Sequence, residues 1–280
     1  MLKLNMGSNG QPIKMQEITS PTIYLDLCAL MDIVIKSNYR DKFKAVLFNK
    51  KGTLLFSWIH ILELSDVTDK EQLKSYVSFL DSLIENLGFI DVLPAAVIAK
   101  ENKKLQGDNN VNPPMDERLF SFFDTVIMNT KSIKPLSFDW LLTNLNHPVI
   151  IEYKKVFHLK FNSYLAESQE KKKRDKKYES RIKIVAKGAN LPVATRYIED
   201  DILKSFLREG KELSPNSWRD FYHTVVPVAY CDYVLLDGCF ANKAKSTIDR
   251  LRRNNYTAPM ARVFTKIDEF FVDLENYRLN

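Results

Sequence analysis

The spacing of apolar residues changes several times along the chain, and each change predicts a structural element. Residues 22–26 (TIYLD) form a short β-prone run that ends in a carboxylate. Residues 27–35 follow at once with apolar side chains at helical spacing. A strand that leads directly into a helix is typical of α/β folds. We therefore predict a strand that ends at Asp26 and a helix over residues 27–35.

The same alternation continues to about residue 95. Residues 53–57 predict a second short strand, and residues 58–65 predict the start of a helix. Residues 69–87 place apolar side chains on one face of a helix, and Gly88 then reads as its stop signal. The first part of the chain therefore predicts two strands, each followed by a helix.

The strand–helix alternation returns near the end of the chain. Residues 232–237 (DYVLLD) form an apolar strand between two carboxylates, and residues 262–265 predict a last strand. Helices are predicted at 218–229, 242–254 and 267–274. Strands that alternate with helices imply a mainly parallel sheet with helices on both faces.

The middle of the chain lacks this alternation. Helical segments predominate there, so we predict a long, mostly helical insertion. The predicted fold class is α/β: a three-layer α/β/α sandwich with a mainly parallel sheet. The predicted division is a flexible leader at 1–19, an α/β domain at 20–95 and 215–280, and a helical insertion or cap at 96–214.

Composition narrows the class of protein. The 280 residues are 45% hydrophobic with only 8 glycines, as expected of a folded globular protein. No apolar run reaches the roughly 18 residues of a membrane helix, so we expect no membrane association. The three cysteines form no CxxC pair, which disfavours disulfides and structural zinc and favours a reduced, cytoplasmic protein. The net charge of +6 weakly favours an anionic partner.

Four carboxylates suggest a chemistry. Asp26 ends the first strand and Asp237 ends the late strand, and ligands of parallel sheets bind at the carboxyl ends of strands. We expect Asp232, just before the late strand, and Glu63, on an early helix, to approach the same edge. Crowded carboxylates repel one another unless a cation such as Mg²⁺ or Mn²⁺ neutralises them. Metal-assisted hydrolysis of a phosphodiester uses such a cluster.

The order of these acids resembles the PIN domain family of ribonucleases. Residues 23–28 (IYLDLC) resemble the family's first strand and its aspartate, and residues 62–64 (LEL) are similar to its second acid. Residues 229–237 (AYCDYVLLD) resemble its late aspartates, and residues 263–271 resemble its closing strand and helix. The resemblance implies a three-layer nuclease that uses Mg²⁺ or Mn²⁺, usually on RNA, and that often pairs as a dimer.

For this chain, the resemblance implies that Asp26, Glu63, Asp232 and Asp237 are both the catalytic residues and the metal ligands. Asp220 and His223, one helical turn apart, are candidate supporting groups. The helix over 242–254 is basic and follows the acidic strand, so we expect it to bind nucleic acid, most readily RNA. Its basic residues are Lys243, Lys245, Arg250, Arg252 and Arg253.

Three alternatives compete with this interpretation. In the family's late motif the two aspartates are usually one residue further apart, and Leu236 replaces a usual Thr or Ser. The spacing near Asp237 leaves room for a catalytically silent module that binds RNA or a protein partner. Residues 149–154 (VIIEYK) match half of a restriction-type nuclease motif, with Asp139 as its upstream acid. A phosphatase of the haloacid-dehalogenase type needs a second Asp where Cys28 stands, and is disfavoured.

Overall fold

A computed structural model gives the fold of this chain. It describes residues 2–6, 12–16, 18–109, 111–116, 119, 148–175, 177, 194–209 and 217–278. The strands within these residues are β1 (Leu2–Met6), β2 (Pro12–Gln16), β3 (Thr22–Leu25), β4 (Thr53–Phe56), β5 (Leu87–Phe89), β6 (Tyr233–Leu235) and β7 (Arg262–Phe264).

Helices make up most of the remaining described chain. The early helices are α1 (Leu27–Ile35), α2 (Ser37–Lys50), α3 (Trp58–Leu64), α4 (Lys70–Asp81) and α5 (Pro94–Leu105). The later ones are α6 (Pro148–Arg174), α7 (Ala194–Glu209), α8 (Ser217–Tyr230), α9 (Gly238–Arg253) and α10 (Ile267–Glu275).

Five parallel strands form the central sheet, in the order β5-β4-β3-β6-β7. The residues of β3, β4 and β6 are buried, as expected when helices cover both faces of a parallel sheet. The chain moves outward from β3 to β5 and then returns to β6 on the other side of β3. The predicted parallel α/β architecture is confirmed.

The helices fall into two groups that contact one another within each group. One group contains α1, α2, α4 and α10, and the other contains α3, α5, α6, α7, α8 and α9. Right-handed crossovers place the helices before and after such a reversal on opposite faces of the sheet. This arrangement is consistent with three α/β/α layers.

The helix predicted over residues 69–87 is confirmed as far as Asp81 and is wrong beyond it. Helix α4 ends at Asp81, and residues 87–89 form the edge strand β5, in which Gly88 pairs with Leu55. Leu83 and Leu87 continue the apolar face of the helix in phase, so helical spacing alone hides the change to extended chain. Gly88 therefore lies inside a strand and does not stop a helix.

The stretch predicted as a flexible leader contains β1 and β2, which pair in antiparallel register. Within 96–214, the described residues form the end of α5 and the whole of α6 and α7, and Met115 makes one isolated bridge to Ile90. Asp139 lies outside the described residues.

Candidate acidic site at the carboxyl edge of the sheet

The strand order reverses between β3 and β6, which lie side by side at the centre of the sheet. In open α/β sheets, ligands bind outside the carboxyl ends of the strands at such a reversal. Asp26 follows β3 directly, and Asp237 follows β6 after one intervening residue. The two aspartates therefore lie at the position where this topology forms a crevice.

Each of the two aspartates caps the helix that follows it. The Asp26 carboxylate accepts the backbone N–H of Ala29 at 2.7 Å, and the Asp237 carboxylate accepts that of Phe240 at 3.0 Å. A carboxylate at this position satisfies a free N–H of the first turn and interacts favourably with the helix dipole. Capping by itself explains the orientation of both side chains.

A direct bond joins the two strand ends. The backbone N–H of Asp237 donates to Oδ2 of Asp26 at 2.7 Å, and the N–H of Asp26 donates to the carbonyl of Leu235 at 3.0 Å. Asp26 is only 8% exposed, whereas Asp237 is exposed. Burial raises the pKa of Asp26 to about 6, and the charge of Glu63 adds to this shift.

Glu63 and His223 approach the same place from helices α3 and α8. Nε2 of His223 lies 2.8 Å from the Glu63 carboxylate, and the imidazole is 1% exposed. Burial opposes the charged imidazolium, but the carboxylates of Glu63, Asp26 and Asp220 outweigh it and raise the pKa of His223. The structure thus brings Glu63 and His223 together, as an ion pair when the ring is protonated.

Asp220, one helical turn before His223 on α8, faces the same carboxylates. Burial raises its pKa to about 7, and the charges of Asp237, Glu63 and Asp26 contribute further. We call the set Asp26, Glu63, Asp220 and Asp237 the acidic pocket. Its members come from four separate segments of the chain, namely the N-caps of α1 and α9 and the helices α3 and α8.

Asp232 does not belong to this set, which corrects the sequence-based expectation. It precedes β6 and therefore lies at the amino edge of the sheet, about 10 Å of strand away from the carboxyl edge. Its carboxylate accepts the backbone N–H of Thr22 at 2.7 Å and the Thr22 hydroxyl at 2.9 Å. Asp232 joins the starts of β3 and β6.

The basic helix borders the acidic pocket only at its beginning. Helix α9 has 16 residues and is about 24 Å long, so Arg252 and Arg253 lie at its far end from Asp237. Two other basic residues face α7: Lys243 pairs with Glu209, and Arg250 pairs with Asp201 at 2.5 Å. Lys243 and Arg250 therefore form ion pairs within the protein, and the nucleic-acid contact expected of this helix stays a prediction.

The donor atoms of the acidic pocket suit a hard cation. Carboxylate oxygens are the ligands that Mg²⁺ and Mn²⁺ prefer. Each oxygen of Asp26 accepts one backbone N–H and keeps a second lone pair for another partner. Both nitrogens of His223 already have partners, so the ring is not available as a ligand. Among the described residues, no three His, Cys, Asp or Glu side chains are already arranged as a metal site.

Asp220 was predicted only as a supporting group, and His60 was not singled out. A helix that leads into a strand of a parallel sheet begins near the carboxyl edge, and Asp220 lies in the first turn of α8. That topological rule identifies Asp220 from the sequence. His60 is buried, with Nε2 2.7 Å from the carbonyl of Leu25, and its position follows only from tertiary contacts.

In comparisons with known proteins, no family model, curated protein or solved structure matches this chain. Within the described ranges, no helix is long and apolar enough to cross a membrane. The described residues form a five-stranded parallel α/β sheet, and Asp26 and Asp237 follow the two strands between which its order reverses.

Proposed function

We propose that the protein is a metal-dependent nuclease of the PIN-like type that hydrolyses phosphodiester bonds, with RNA as its substrate. The observation that carries the proposal is the bond between Asp26 and Asp237 at the strand reversal. The charge of Glu63 raises the pKa of Asp26, and the charge of Asp26 raises the pKa of Asp220, which supports the proposal. The resemblance of residues 23–28 and 62–64 to PIN motifs supports it as well.

The acidic pocket would hold one or more Mg²⁺ or Mn²⁺ ions through Asp26, Glu63, Asp220 and Asp237. A bound cation of this kind lowers the pKa of water and stabilises charge on the leaving oxygen. The raised pKa values of Asp26 and Asp220 reflect burial and mutual repulsion, and a divalent cation would offset the repulsion. Asp220, with a pKa of about 7, holds a proton on its carboxyl group in part of the molecules at neutral pH.

Substrate binding would use the surroundings of the acidic pocket. The N-termini of α1 and α9 point at the strand ends, and the positive ends of helix dipoles favour phosphate groups. Lys245, Arg252 and Arg253 extend along α9 and would contact more distant phosphates. Such contacts position a nucleic acid without reading its sequence.

The test is cleavage of a fluorescently labelled single-stranded RNA, with DNA of the same sequence as a second substrate. We expect RNA cleavage with Mn²⁺ or Mg²⁺, loss of cleavage with EDTA, and loss in the Asp26→Asn protein. Cleavage that persists in EDTA, or that Asp26→Asn retains at the wild-type rate, would contradict the proposal. Preference for the DNA strand would keep the mechanism but change the substrate.

A second candidate function is a catalytically silent PIN-like module that binds RNA or a protein partner. The observation in its favour is that no three ligand side chains of the described residues are already arranged around a cation site. RNA binding without cleavage at any Mn²⁺ concentration would select this candidate. The restriction-type alternative has less support, because Glu152 lies within helix α6.

A further inference from the structure

A line of hydrogen bonds continues from the acidic pocket into the protein interior. Nδ1 of His223 lies 2.6 Å from the Tyr24 hydroxyl, which lies 3.0 Å from Oγ of Ser57. Oγ of Ser57 in turn lies 3.0 Å from Nδ1 of His60. We call Tyr24, Ser57 and His60 the support chain. All three side chains are 1% exposed or less, so water cannot replace the bonds between them.

The inner end of the support chain is fixed to the backbone of β3. Nδ1 of His60 accepts the backbone N–H of Ser57 at 3.1 Å, and this N–H can act only as a donor. The hydrogen of the neutral ring therefore lies on Nε2, which donates to the Leu25 carbonyl at 2.7 Å. Leu25 immediately precedes Asp26, so the chain is tied to the strand that carries the first carboxylate.

The outer end of the support chain, where Tyr24 meets His223, is also fixed. An ionised carboxylate can only accept hydrogen bonds, so Nε2 of His223 carries the hydrogen and donates it to Glu63. The Tyr24 hydroxyl occupies the position facing Nδ1. A flip of the imidazole would set ring carbons against both partners and lose both bonds. Tyr24 and Glu63 together therefore fix the plane and orientation of the ring.

We infer that Tyr24 is a positioning residue, which acts through His223 to hold the Glu63 carboxylate in the acidic pocket. The inference rests on the proposed function, because Glu63 is taken there as a ligand of the cation. Glu63 has three rotatable side-chain bonds and belongs to a helix of only seven residues. Its carboxylate therefore needs a hydrogen-bond partner that does not itself bind the cation, and His223 is that partner. Loss of such a partner typically lowers metal affinity or activity 10- to 100-fold.

The experiment compares two Tyr→Phe substitutions in full-length protein. Tyr24→Phe removes the hydroxyl that faces His223 and keeps the buried ring. Tyr233→Phe is the matched control: it lies on the neighbouring strand β6, and its hydroxyl bonds to Asp273 instead. The measurements are the dissociation constant for Mn²⁺ and the ¹⁵N resonances of the His223 ring in cation-free protein.

We expect Tyr24→Phe to shift the His223 ring resonances and to weaken Mn²⁺ binding about 10- to 100-fold, and Tyr233→Phe to change neither. A purely structural role for Tyr24 would lower the melting temperature without moving these signals. If Tyr24→Phe does not fold, Ser57→Ala interrupts the same chain one bond further in and gives the same two measurements.

Two results would separate the inference from the proposed function. Unchanged His223 resonances and Mn²⁺ affinity in a folded Tyr24→Phe protein would overturn the inference and leave the nuclease proposal standing. A wild-type protein that neither binds Mn²⁺ nor cleaves RNA would overturn the proposed function. The ring resonances of the cation-free protein would still decide whether Tyr24 sets the orientation of His223.

Discussion

The backbone N–H of Asp237 bonds to the side chain of Asp26 at 2.7 Å, although the two residues are 211 positions apart in the chain. This bond fixes the end of β6 against the end of β3 and leaves each Asp26 oxygen one further lone pair. The same carboxylate thus supports the fold through its backbone bonds and, in the proposed function, binds the cation. Substitution at Asp26 should separate these two roles.

We predict that Asp26→Asn removes cleavage while the protein stays folded. The amide lacks the negative charge that the cation needs, so the rate should fall by at least about 100-fold. Asn keeps one oxygen for the Ala29 cap, and its NH₂ then faces the N–H of Asp237, at a cost of about 1–3 kcal/mol in the free energy of unfolding. Relief from burying a charge offsets part of this cost. Cleavage rates and melting temperatures, measured side by side, test the prediction.

The opposite result is expected at Asp232. Asp232→Ala removes the acceptor of two Thr22 hydrogen bonds and leaves the buried Thr22 N–H without a partner, so stability should fall by about 1–3 kcal/mol. Below the melting temperature, the cleavage rate per folded molecule should match that of the wild type. A folded Asp232→Ala protein without activity would return Asp232 to the site and contradict its assignment to the amino edge.

Stability without cations should decrease as the pH rises from about 4 to about 7. The pKa of Asp220 is raised to about 7 and that of Asp26 to about 6, so between the unfolded and folded values the native state binds more protons. This contribution to stability is present below the unfolded pKa and is lost as the pH passes the folded pKa. Denaturant titrations at several pH values measure this slope.

Asp220→Asn isolates the contribution of one carboxyl from other groups with raised pKa values, such as His223 and the buried Glu199. The variant should show a smaller loss of stability between pH 5 and pH 8 than the wild type.

Mg²⁺ should stabilise the wild type more at pH 8 than at pH 5, because protonated carboxyls bind cations poorly. Equal Mg²⁺ stabilisation at both pH values would argue against a carboxylate site.

Arginine substitutions on α9 should separate structural from binding roles. Arg250→Ala removes a half-exposed ion pair with Asp201 and should cost about 0–1 kcal/mol of stability.

Arg252→Ala with Arg253→Ala should lower the salt slope of RNA binding by about one unit for each phosphate that the variant no longer neutralises. The matched control is Lys103→Ala with Lys104→Ala, an exposed basic pair in the last turn of α5. Equal effects of both pairs would indicate only a general influence of net charge.

The sequence predicts the strands β3, β4, β6 and β7 because each apolar run is bounded by a helix pattern or a carboxylate. It does not predict β5, whose three residues continue the spacing of the preceding amphipathic helix. Pairing with β4 decides the conformation there, and this pairing joins Leu55 to Gly88 across 33 positions of sequence. Local patterns contain no information about such a partner.

The candidate site was predictable to a similar extent. Asp26 and Glu63 follow from strand ends and early-helix patterns, and Asp237 follows from the end of β6. Asp232 was misplaced because a residue that precedes a strand lies at the opposite edge from one that follows it. The Tyr24 hydroxyl bond to His223 joins residues 199 positions apart and depends on the packing of α8 against the sheet. The sequence shows only that both residues are present.

The long separation between Asp26 and Asp237 has a consequence for the protein during its synthesis. The ribosome adds about 5–20 residues per second, so about 10–40 s pass between the addition of the first carboxylate and the last. Until β6 has paired with β3, Asp26 has no partner at the neighbouring strand end. A nascent chain therefore cannot assemble the acidic pocket until the residues through Asp237 have been synthesised and β6 has paired with β3.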